Sequence, residues 1–555
     1  TAITDHGNMN GLADFYLYSK TINKGGNKFK PIYGVEAYFH PDLDQWKVDL
    51  EDSKNVKKSA KDQESTQLME NENESKNYSS RSNPNNPRRR HHLILLAQNE
   101  TGLENLYKLI YKGNKDGYYY FPRIDFNDLK KHNEGLIATS ACVAGHPNWI
   151  VLNNQEKGED FIMHELENMY DRYVDIFGKD RYFLEMQFNS LDVQHTTNKY
   201  FMKFAEKNGA NLVATADFHY FSPDVWKARE VLKQCSWSHN KDFDLNSMDK
   251  EQLKCLLYPK NAEQMWEDYK KYSSQYEFYD DEVVARSINN SSLIANELIR
   301  ETNPDTSPKL TQISIDGFNT AFHKLVTLCK NSMEKKSLEN NSVYIERLKK
   351  ELVMIKNKDI ENYFLAMKDM MDLANDHMIV GSARGSAAGS LVCYLLGITQ
   401  VDPIKYNLLF ERFLNEGRMA GEWPDIDVDV EDRDKLIELF YEKYGKDAVF
   451  PISTKMRLQI SSLVKDMCKL LDIDFATANM YSKKIRREIE SSRNLVDDKN
   501  HFYANLMFEN IYRKSETLRE FVEKYPAVKD VLPYLYMQVR QYGTHAGGVI
   551  ICDNF

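Results

Sequence analysis

The stretch GEWPDIDVDVEDRD, at residues 421–434, carries Asp425, Asp427 and Asp429 at alternate positions. The residues between them are isoleucine and valine, which favour β-strands. Because successive side chains of a strand point to opposite faces, the pattern predicts a strand with one acidic face and one apolar face. Carboxylates on one face repel each other unless a divalent cation binds them, and oxygen ligands suit hard cations. A solvated edge strand, whose charges discourage aggregation, is the alternative interpretation.

A glycine- and serine-rich stretch, VGSARGSAAGSL at residues 380–391, precedes the acidic stretch and is followed by an apolar run that predicts a helix. The free N–H groups at a helix N-terminus and the positive end of the helix dipole suit a phosphate. At this turn Gly385 provides a flexible backbone, Ser386 a hydroxyl group and Arg384 a positive charge. Close packing of the backbone against a neighbouring element would explain the same glycines without a ligand.

Between these two stretches lies NLLFERFLNEGR, at residues 407–418, in which Arg412 and Arg418 are further candidate ligands for an anion. A solvated helix face is the competing explanation for Arg418. A phosphate-binding turn combined with clustered carboxylates favours two-metal phosphoryl transfer, in which one cation activates an attacking hydroxyl and the other stabilises the leaving pyrophosphate. We therefore expect magnesium on the acidic face of the predicted strand.

Residues of metal-binding type follow the predicted strands of the N-terminal region. Buried-strand patterns such as HHLILLA (91–97) and NLVATADFHY (211–220) alternate with helical stretches, which predicts an α/β domain with a largely parallel sheet. In such sheets functional groups gather at the carboxyl ends of the strands. The candidates are Asp5, His6, Glu36, His92, Cys142, Asp217 and His219. Each could be an ordinary polar residue at a strand end, but together they have the ligand types of a zinc or manganese site.

The bulk properties are those of a large protein without membrane segments. A length of 555 residues predicts three or four domains at about 150 residues each. No apolar stretch approaches the roughly 18–20 residues that span a bilayer. The seven cysteines lack a paired spacing pattern, which favours a reducing compartment and a cytoplasmic location. The net charge of −10 leaves no overall basic footprint for nucleic acid, so positive charge would have to be confined to one groove.

Two segments differ in composition from the rest. Residues 44–90 are polar, repetitive and poor in aliphatic side chains, which predicts a disordered insertion. Residues 455–499 are helical in pattern and locally basic, and the most basic part holds Lys483, Lys484, Arg486 and Arg487. Such a surface would contact DNA phosphates independently of base sequence. Acidic residues are interleaved with the basic ones, so an ordinary solvated helix face explains the pattern as well.

The ordered set formed by the glycine–serine turn, LLFERFLN, PDIDVD and HAGGV (545–549) resembles the palm of bacterial DNA polymerase III alpha subunits, the C-family replicative polymerases. The resemblance implies a nucleotidyltransferase palm like that of polymerase beta, which acts on primed DNA template and dNTPs. It further implies that Gly385 and Ser386 bind the nucleotide, and that Asp425 and Asp427 are catalytic aspartates that hold Mg²⁺.

The N-terminal set resembles the PHP (polymerase and histidinol phosphatase) domain that opens these alpha subunits, a distorted (β/α)7-type barrel. This resemblance implies a Zn²⁺ or Mn²⁺ site whose ligands are His6, Glu36, His92, Cys142, Asp217 and His219. It also implies that the basic helical region is the thumb, which grips the DNA backbone. For the full-length protein, it implies the sliding clamp and other replisome subunits as partners.

The sequence thus predicts an α/β multidomain protein. A PHP domain at 1–290 is followed by the palm at 291–454, a helical thumb at 455–538 and the start of a second palm segment at 539–555. The family's first His-x-His pair would precede Thr1, and its third catalytic aspartate would follow HAGGV. We therefore expect a fragment cut at both ends that does not elongate a primer by itself.

Two other functions are compatible with the sequence. In the first, the chain is a metal-dependent phosphoesterase or 3′–5′ exonuclease that uses the PHP site and has an inert palm. In the second, it is a non-catalytic DNA-binding module, which would bind DNA in a salt-dependent way without any metal requirement.

Overall fold

The computed structural model describes residues 1–61, 86, 88–236, 243–307, 315, 317–417, 423–493 and 507–552. Most of the segment predicted to be disordered (44–90), and also Arg418, lie outside these residues. The prediction of disorder is wrong for the beginning of that segment, because Leu43–Lys61 is a helix. Leu43 and Trp46 are buried, and this apolar anchor orders a stretch whose overall composition is polar.

The chain divides into two compact units. The first comprises Thr1–Asp305 and Arg457–Gln538, and the second comprises Thr306–Met456 and Val539–Phe555. The helical segment that we predicted as a separate domain is therefore grouped with the N-terminal region. Within the described residues, no helix combines the length and the apolar character needed to cross a bilayer.

A six-stranded sheet forms the centre of the N-terminal part of the first unit. The described strands, whose spatial order follows the chain, are β1 (Ala2–Ile3), β2 (Ile32–Phe39), β3 (His91–Ala97), β4 (Leu136–Thr139), β5 (Tyr182–Met186) and β6 (Asn211–Ala214). The pairs β1–β2, β4–β5 and β5–β6 are parallel, whereas β3 runs antiparallel to both of its neighbours. The prediction of a largely parallel sheet is thus wrong at β3. Long connections flank this strand and permit either direction. The six strands are one fewer than the seven of the predicted barrel.

Helices connect and follow these strands, and several of them bury an apolar face in the core of the sheet. Those described before residue 300 are α1 (Leu12–Lys24), α2 (Leu43–Lys61), α3 (Glu100–Asp116), α4 (Phe126–Lys131), α5 (His146–Asn153), α6 (Glu159–Phe177), α7 (Asp192–Asn208), α8 (Trp226–Ser236), α9 (Ala262–Ser273) and α10 (Asp281–Leu293). Helix α3 shows why they form: Leu106 and Leu109 are buried with Val35 and Leu95 of the sheet in one core. The side chain of Asn99 caps this helix by accepting the N–H of Gly102 at 3.0 Å.

The second unit is mainly helical. Its described elements are α11 (Ala321–Lys335), α12 (Ser342–Asn357), α13 (Glu361–His377), α14 (Leu391–Leu395), α15 (Arg433–Tyr444), β7 (Val449–Arg457) and β8 (Val539–Ile551). Strands β7 and β8 form a two-stranded sheet. The glycine–serine turn forms a 3-10 helix, Gly385–Gly389, which leads into the short apolar helix α14. Phe364, Leu391 and Phe410 are fully buried members of the core that supports this turn.

The acidic stretch is a strand only at its end. Val430 forms an isolated antiparallel bridge with Val380, and the described residues just before Val430 join no ladder. The prediction of a regular strand is therefore wrong, because the neighbouring segment turns away into a 3-10 helix and offers no longer edge. The predicted alternation is nevertheless present: the three aspartates are exposed, whereas Ile426 and Val428 are half-buried against the core of this unit.

A second helical layer completes the first unit. Its elements are α16 (Ile460–Leu470), α17 (Phe475–Arg493), α18 (Phe508–Lys514), α19 (Glu516–Lys524) and α20 (Leu532–Leu535). Leu463, Ile485 and Phe521 of these helices share one apolar core with Val231 and Leu245 from the N-terminal part. This shared core explains why residues from two distant parts of the chain form one compact unit.

Candidate functional site

Residues from three neighbouring strands meet at one edge of the six-stranded sheet. His6 lies after β1 and forms an isolated parallel bridge with Glu36 of β2. His92 is the second residue of β3 and pairs with Tyr38 of β2. Because β3 is antiparallel, its beginning lies beside the carboxyl end of β2. We expected all candidate ligands to follow the carboxyl ends of strands. This is wrong for His92, which lies at the beginning of β3, and for Glu36, which lies inside β2, although both reach the same edge.

One carboxylate oxygen of Glu36 faces two imidazole rings. Its Oε1 lies 3.1 Å from His6 Nε2 and also contacts His92 Nδ1. The same oxygen is buried, and no described residue donates a well-aligned hydrogen bond to it. Among the described residues, His6, Glu36 and His92 form the group of three metal-binding side chains whose ligand atoms all lie within 4.8 Å of one another. A buried oxygen between two imidazole nitrogens fits a cation of the zinc or manganese type.

The electrostatics of this group follow from burial and close contact. Burial acts to raise the pKa of the Glu36 carboxyl, but the charge of His92 and the contacts with both histidines outweigh it, so the net pKa lies well below the ordinary value. Contact with Glu36 raises the pKa of His6, while burial acts in the opposite direction. The lowered pKa keeps Glu36 ionised, which leaves an anionic oxygen ligand for a cation.

Cys142 and His219 lie at the periphery of this group. Cys142, in the loop after β4, has its Sγ 3.6 Å from His92 Nδ1. The imidazole centroid of His219 is 5.7 Å from that of His6. Nδ1 of His219 lies 2.7 Å from the backbone oxygen of Asp217, and burial lowers the pKa of this histidine to about 4. A neutral His219 with Nδ1 engaged by a carbonyl would present Nε2 to a metal.

Asp217 occupies a strained position beside His219. Its backbone φ of 46° lies in the left-handed region that non-glycine residues rarely adopt. Burial raises the pKa of Asp217 to about 8, and the negative charges of Glu36 and Glu185 add to this effect. A cation at this edge would offset the repulsion among these carboxyls. The structure thus brings all six predicted ligands to one edge of the sheet, three of them in the tight group.

Glu185, in β5, is a buried carboxylate that we did not predict as part of this site. Thr139 and Thr215 donate hydroxyl hydrogen bonds to its two oxygens, the latter at 2.6 Å, and Ser140 Oγ accepts its backbone N–H at 2.7 Å. Burial raises its pKa, against the effect of the two threonine hydroxyls. These contacts tie β4, β5 and the segment after β6 together behind the metal-binding side chains. The one charged residue within the otherwise uncharged strand YFLEM (182–186) was the available signal.

In the second unit, the glycine–serine turn and the acidic stretch lie side by side. The N–H of Gly381 donates to the backbone oxygen of Asp429 at 2.8 Å, and the N–H of Glu431 donates to that of Ile379 at 2.9 Å. These two hydrogen bonds flank the bridge between Val380 and Val430. The acidic stretch is therefore held against the beginning of the turn by its backbone.

Asp427 faces Gly385 directly. A Cβ atom placed on Gly385 would lie 2.9 Å from Asp427 Oδ2, and the φ of Gly385 is 64°. Glycine is thus required at this position both for backbone conformation and for the approach of the carboxylate. The guanidinium of Arg384 forms an exposed ion pair with Asp429 at 2.5 Å, so its charge is directed at the acidic stretch.

Asp425 lies on the same exposed side of the acidic stretch. Burial raises the pKa of Tyr363 to about 12, and the charges of both Asp425 and Asp427 contribute to the increase. Arg412 is exposed in the 3-10 turn Phe410–Arg412, close in sequence to Leu409, whose carbonyl oxygen would lie 2.7 Å from a Cβ on Gly389. The predicted anion ligand therefore lies in a segment that packs against the end of the turn.

The N-terminus of helix α14 is occupied by a protein carboxylate. Glu351, from α12, accepts the N–H groups of Leu391 and Val392 at 2.9 and 3.0 Å and the hydroxyl of Ser390 at 2.9 Å. The expectation that this helix N-terminus has free N–H groups for a phosphate is therefore wrong. Glu351 lies about forty residues upstream, and no pattern in the sequence indicates this contact.

The predicted DNA-binding residues lie on one exposed face of α17. Lys483, Lys484, Arg486 and Arg487 are all exposed, whereas Ile485 between them is fully buried. Arg486 also forms an ion pair at 2.7 Å with a glutamate one turn later on the same helix. Such a surface can contact a phosphate backbone, and an ordinary solvated face has the same appearance.

Two family models match this chain in the regions that hold the two sites. The PHP domain matches residues 1–189, and the bacterial DNA polymerase III alpha NTPase domain matches residues 323–554. The first match contains the His6–Glu36–His92 group, and the second contains the glycine–serine turn and the acidic stretch. The fold and sites therefore define a chain with a PHP domain followed by a polymerase alpha domain.

Similar proteins combine the same regions. The DNA polymerase III alpha subunit of Borreliella burgdorferi is 33% identical over 99% of this chain and 42% of its own length. The corresponding subunit of Aquifex aeolicus is 30% identical over 99% of this chain and 44% of its own length. The chain is thus similar to bacterial DNA polymerase III alpha subunits along nearly all of its own length, and it spans less than half of the length of these relatives.

Proposed function

We propose that this chain is part of a replicative DNA-directed DNA polymerase, which transfers a dNMP from a dNTP to the 3′-hydroxyl of a primer on a DNA template. The observation that carries the proposal is the approach of Asp427 to Gly385, because it sets an exposed carboxylate against the glycine–serine turn. Nucleotidyl transfer needs carboxylates and a triphosphate-binding backbone at such close range. Similarity to the polymerase III alpha subunits supports the same reaction.

In this proposal Asp425 and Asp427 hold Mg²⁺. Both side chains are exposed on one side of the acidic stretch, and carboxylate oxygens are the ligands that Mg²⁺ prefers. Bound Mg²⁺ would lower the pKa of the attacking hydroxyl and neutralise the leaving pyrophosphate. Since Glu351 occupies the N-terminus of α14, the backbone and hydroxyl groups around Gly385 and Ser386 are left to bind the phosphates. Arg384 and Arg412 supply positive charge to the same ligand.

The wider organisation is also a proposal. Residues 1–290 would be the PHP domain, 291–454 the palm, 455–538 the thumb and 539–555 the start of a second palm segment. The basic face of α17 would grip the DNA backbone in this arrangement. Primed DNA and dNTPs would be the substrates, and the sliding clamp and other replisome subunits the partners, as proposed for the whole protein.

The test is primer extension by the complete product of the gene, with Mg²⁺, using Asp427→Asn and a matched control, Asp434→Asn. Asp434 is an exposed aspartate at the start of α15, where its side chain pairs with the neighbouring Arg433. We expect the change at Asp427 to lower the rate by at least about 100-fold, the scale of losing one electrostatic catalytic group. The control should stay within about twofold. Full activity of Asp427→Asn would refute the assignment.

A second function is favoured by the group of His6, Glu36 and His92. A Zn²⁺ or Mn²⁺ ion held there would make the PHP domain a phosphoesterase or 3′–5′ exonuclease, since such ions activate water for attack on a phosphodiester. This activity predicts metal-dependent removal of 3′ nucleotides that Asp217→Ala abolishes and Asp425→Ala leaves unchanged. Nuclease activity that is lost in Asp425→Ala instead would assign the reaction to the second unit.

A further inference from the structure

A set of aromatic side chains adjoins the candidate metal centre. The ring of Tyr38 stacks at 6.4 Å on that of His6 and lies 5.4 Å from that of His92. Phe121 packs against Tyr38 at 5.3 Å. The other rings of the sequence YYYF (118–121) precede Phe121 in the chain, and those of Tyr119 and Tyr120 pack together at 4.7 Å. We call this set the aromatic rim; it consists of Tyr38, Tyr118, Tyr119, Tyr120 and Phe121.

The outer part of the rim is held in a strained turn. Tyr119 and Phe121 form an isolated antiparallel bridge, and Tyr120 between them has a φ of 60°. A non-glycine residue in this conformation costs about 1–3 kcal/mol. The fully buried guanidinium of Arg123 offsets the cost by donating from Nη1 to the backbone oxygens of Tyr119 and Phe121, at 3.1 and 2.8 Å. These hydrogen bonds hold the backbone of the turn, from which the rings project.

The same buried arginine fixes a basic segment next to the turn. Arg123 Nε donates to the backbone oxygen of Arg89 at 3.0 Å. The guanidinium of Arg90 lies 3.7 Å from the centroid of Phe121, and that of Arg88 lies 4.6 Å from the centroid of Tyr120. This segment leads directly into β3 and the metal-binding His92. Positive charge is therefore held at the rim, within two residues of a candidate ligand.

Two rings of the rim are open to solvent. Tyr118 is 57% exposed and Tyr120 is 58% exposed. Exposed aromatic rings beside guanidinium groups are how proteins bind single-stranded nucleic acid, because the rings stack on bases and the cations contact phosphates. Bases inside a duplex are already stacked and do not present their faces to such rings. The rim therefore matches unpaired DNA.

We propose that the aromatic rim binds the unpaired bases of a single-stranded DNA end and so places the adjacent phosphodiester at the group of His6, Glu36 and His92. Binding of the bases depends on the rings and their neighbouring arginines alone. The placement at the metal centre rests on the proposed phosphoesterase function. The two parts therefore fail separately.

The test is photocrosslinking of the complete gene product, with EDTA present, to an oligodeoxynucleotide that carries 5-iododeoxyuridine at its 3′ end. We expect crosslinks at residues 118–121, competed by unlabelled single strands and not by blunt duplex. We expect Tyr120→Leu to lower the affinity for the single-stranded oligonucleotide by about 5- to 100-fold, the range for one lost stacking contact. Tyr118→Leu, a second variant at an unstrained position, should lower it by a similar factor. Tyr120→Phe keeps the ring and should bind as the parent does.

Tyr18→Leu is the matched control, because Tyr18 is a similarly exposed tyrosine on α1, outside the rim. Crosslinks elsewhere, equal competition by duplex, or unchanged binding in both leucine variants at 118 and 120 would overturn the proposal. If the crosslink is present but Mn²⁺ or Zn²⁺ restores no 3′ cleavage, base binding by the rim stands and the phosphoesterase function fails.

Discussion

Replacing Glu351 with alanine should loosen the glycine–serine turn of the second unit more than any exposed change nearby. The Glu351 carboxylate is fully buried and accepts four hydrogen bonds, from the N–H groups of Leu391 and Val392, the Ser390 hydroxyl and the Arg347 guanidinium. Burial raises its pKa, while the two backbone N–H groups and Arg347 act in the opposite direction. The charge is therefore stabilised only as long as all of these partners remain in place.

The expected loss is worked from these contacts. Removing one partner of a buried ion pair costs about 3–5 kcal/mol, because the other charge and the freed donors lose their compensation. Arg347 retains hydrogen bonds to the backbone oxygens of Gly389 and Leu408, at 2.7 and 3.2 Å, and part of its side chain reaches solvent. Its residual cost is therefore reduced, which places the expected loss for Glu351→Ala near about 3 kcal/mol.

The assay is native-state hydrogen exchange of the chain, because two compact units make a single unfolding transition an unsafe measure. A loss of about 3 kcal/mol corresponds to roughly 100-fold faster exchange of the amides at Leu391 and Val392. Glu411→Ala is the control, since Glu411 pairs with Lys350 on the surface of the same region and should cost at most about 1 kcal/mol. If both variants change exchange equally, or neither does, then Glu351 does not hold the turn.

Three further outcomes follow from the geometry. Gly385→Ala places a Cβ 2.9 Å from a carboxylate oxygen of Asp427, in a backbone with φ 64°. We expect this change to cost more than about 1 kcal/mol in local stability and to abolish primer extension. Unchanged primer extension would contradict the close approach of Asp427 to Gly385. Burial lowers the pKa of His40 to about 4 and of His146 to about 3, so both stay neutral in the fold while the unfolded chain takes up protons below about pH 6.5. Native-state hydrogen exchange of core amides near these histidines should therefore show stability falling between about pH 6.5 and 4, by up to about 1.4 kcal/mol per pH unit per histidine, and a flat profile would contradict their burial. His92→Ala should weaken zinc or manganese binding by about 100-fold or more in calorimetry, whereas the exposed His164→Ala should not.

The strands of the N-terminal region were predictable because their burial leaves a strong apolar signal. The patterns at 91–97 and 211–220 became β3 and β6, although β6 ends at Ala214. The direction of β3 was not predictable, since it depends on how long connections cross the sheet. The prediction that His92 lies at the same edge of the sheet as the other candidate ligands was therefore right. The prediction that it follows the carboxyl end of its strand was wrong, because it lies at the beginning of β3.

In the second unit, side-chain alternation was predictable and backbone pairing was not. The exposed aspartates and half-buried Ile426 and Val428 follow from the apolar pattern alone. A regular strand also needs a neighbouring strand with which to form hydrogen bonds. Among the described residues, the segment before the glycine–serine turn provides such pairing only at Val380. Likewise, the contact of Glu351 with α14 joins residues about forty positions apart, and no local pattern encodes such a distance.

Two buried carboxylates have the same structural role in the two candidate sites. Glu185 joins strands behind the metal-binding side chains, and Glu351 joins α12 to the glycine–serine turn. Burial raises the pKa of both, so each is costly to ionise unless hydroxyl, N–H or guanidinium donors surround it. Such a charge holds its neighbours in one arrangement, since any other arrangement leaves it without partners. Exposed carboxylates such as Asp427 can then remain available to a cation, because buried carboxylates such as Glu351 hold the surrounding segments in place.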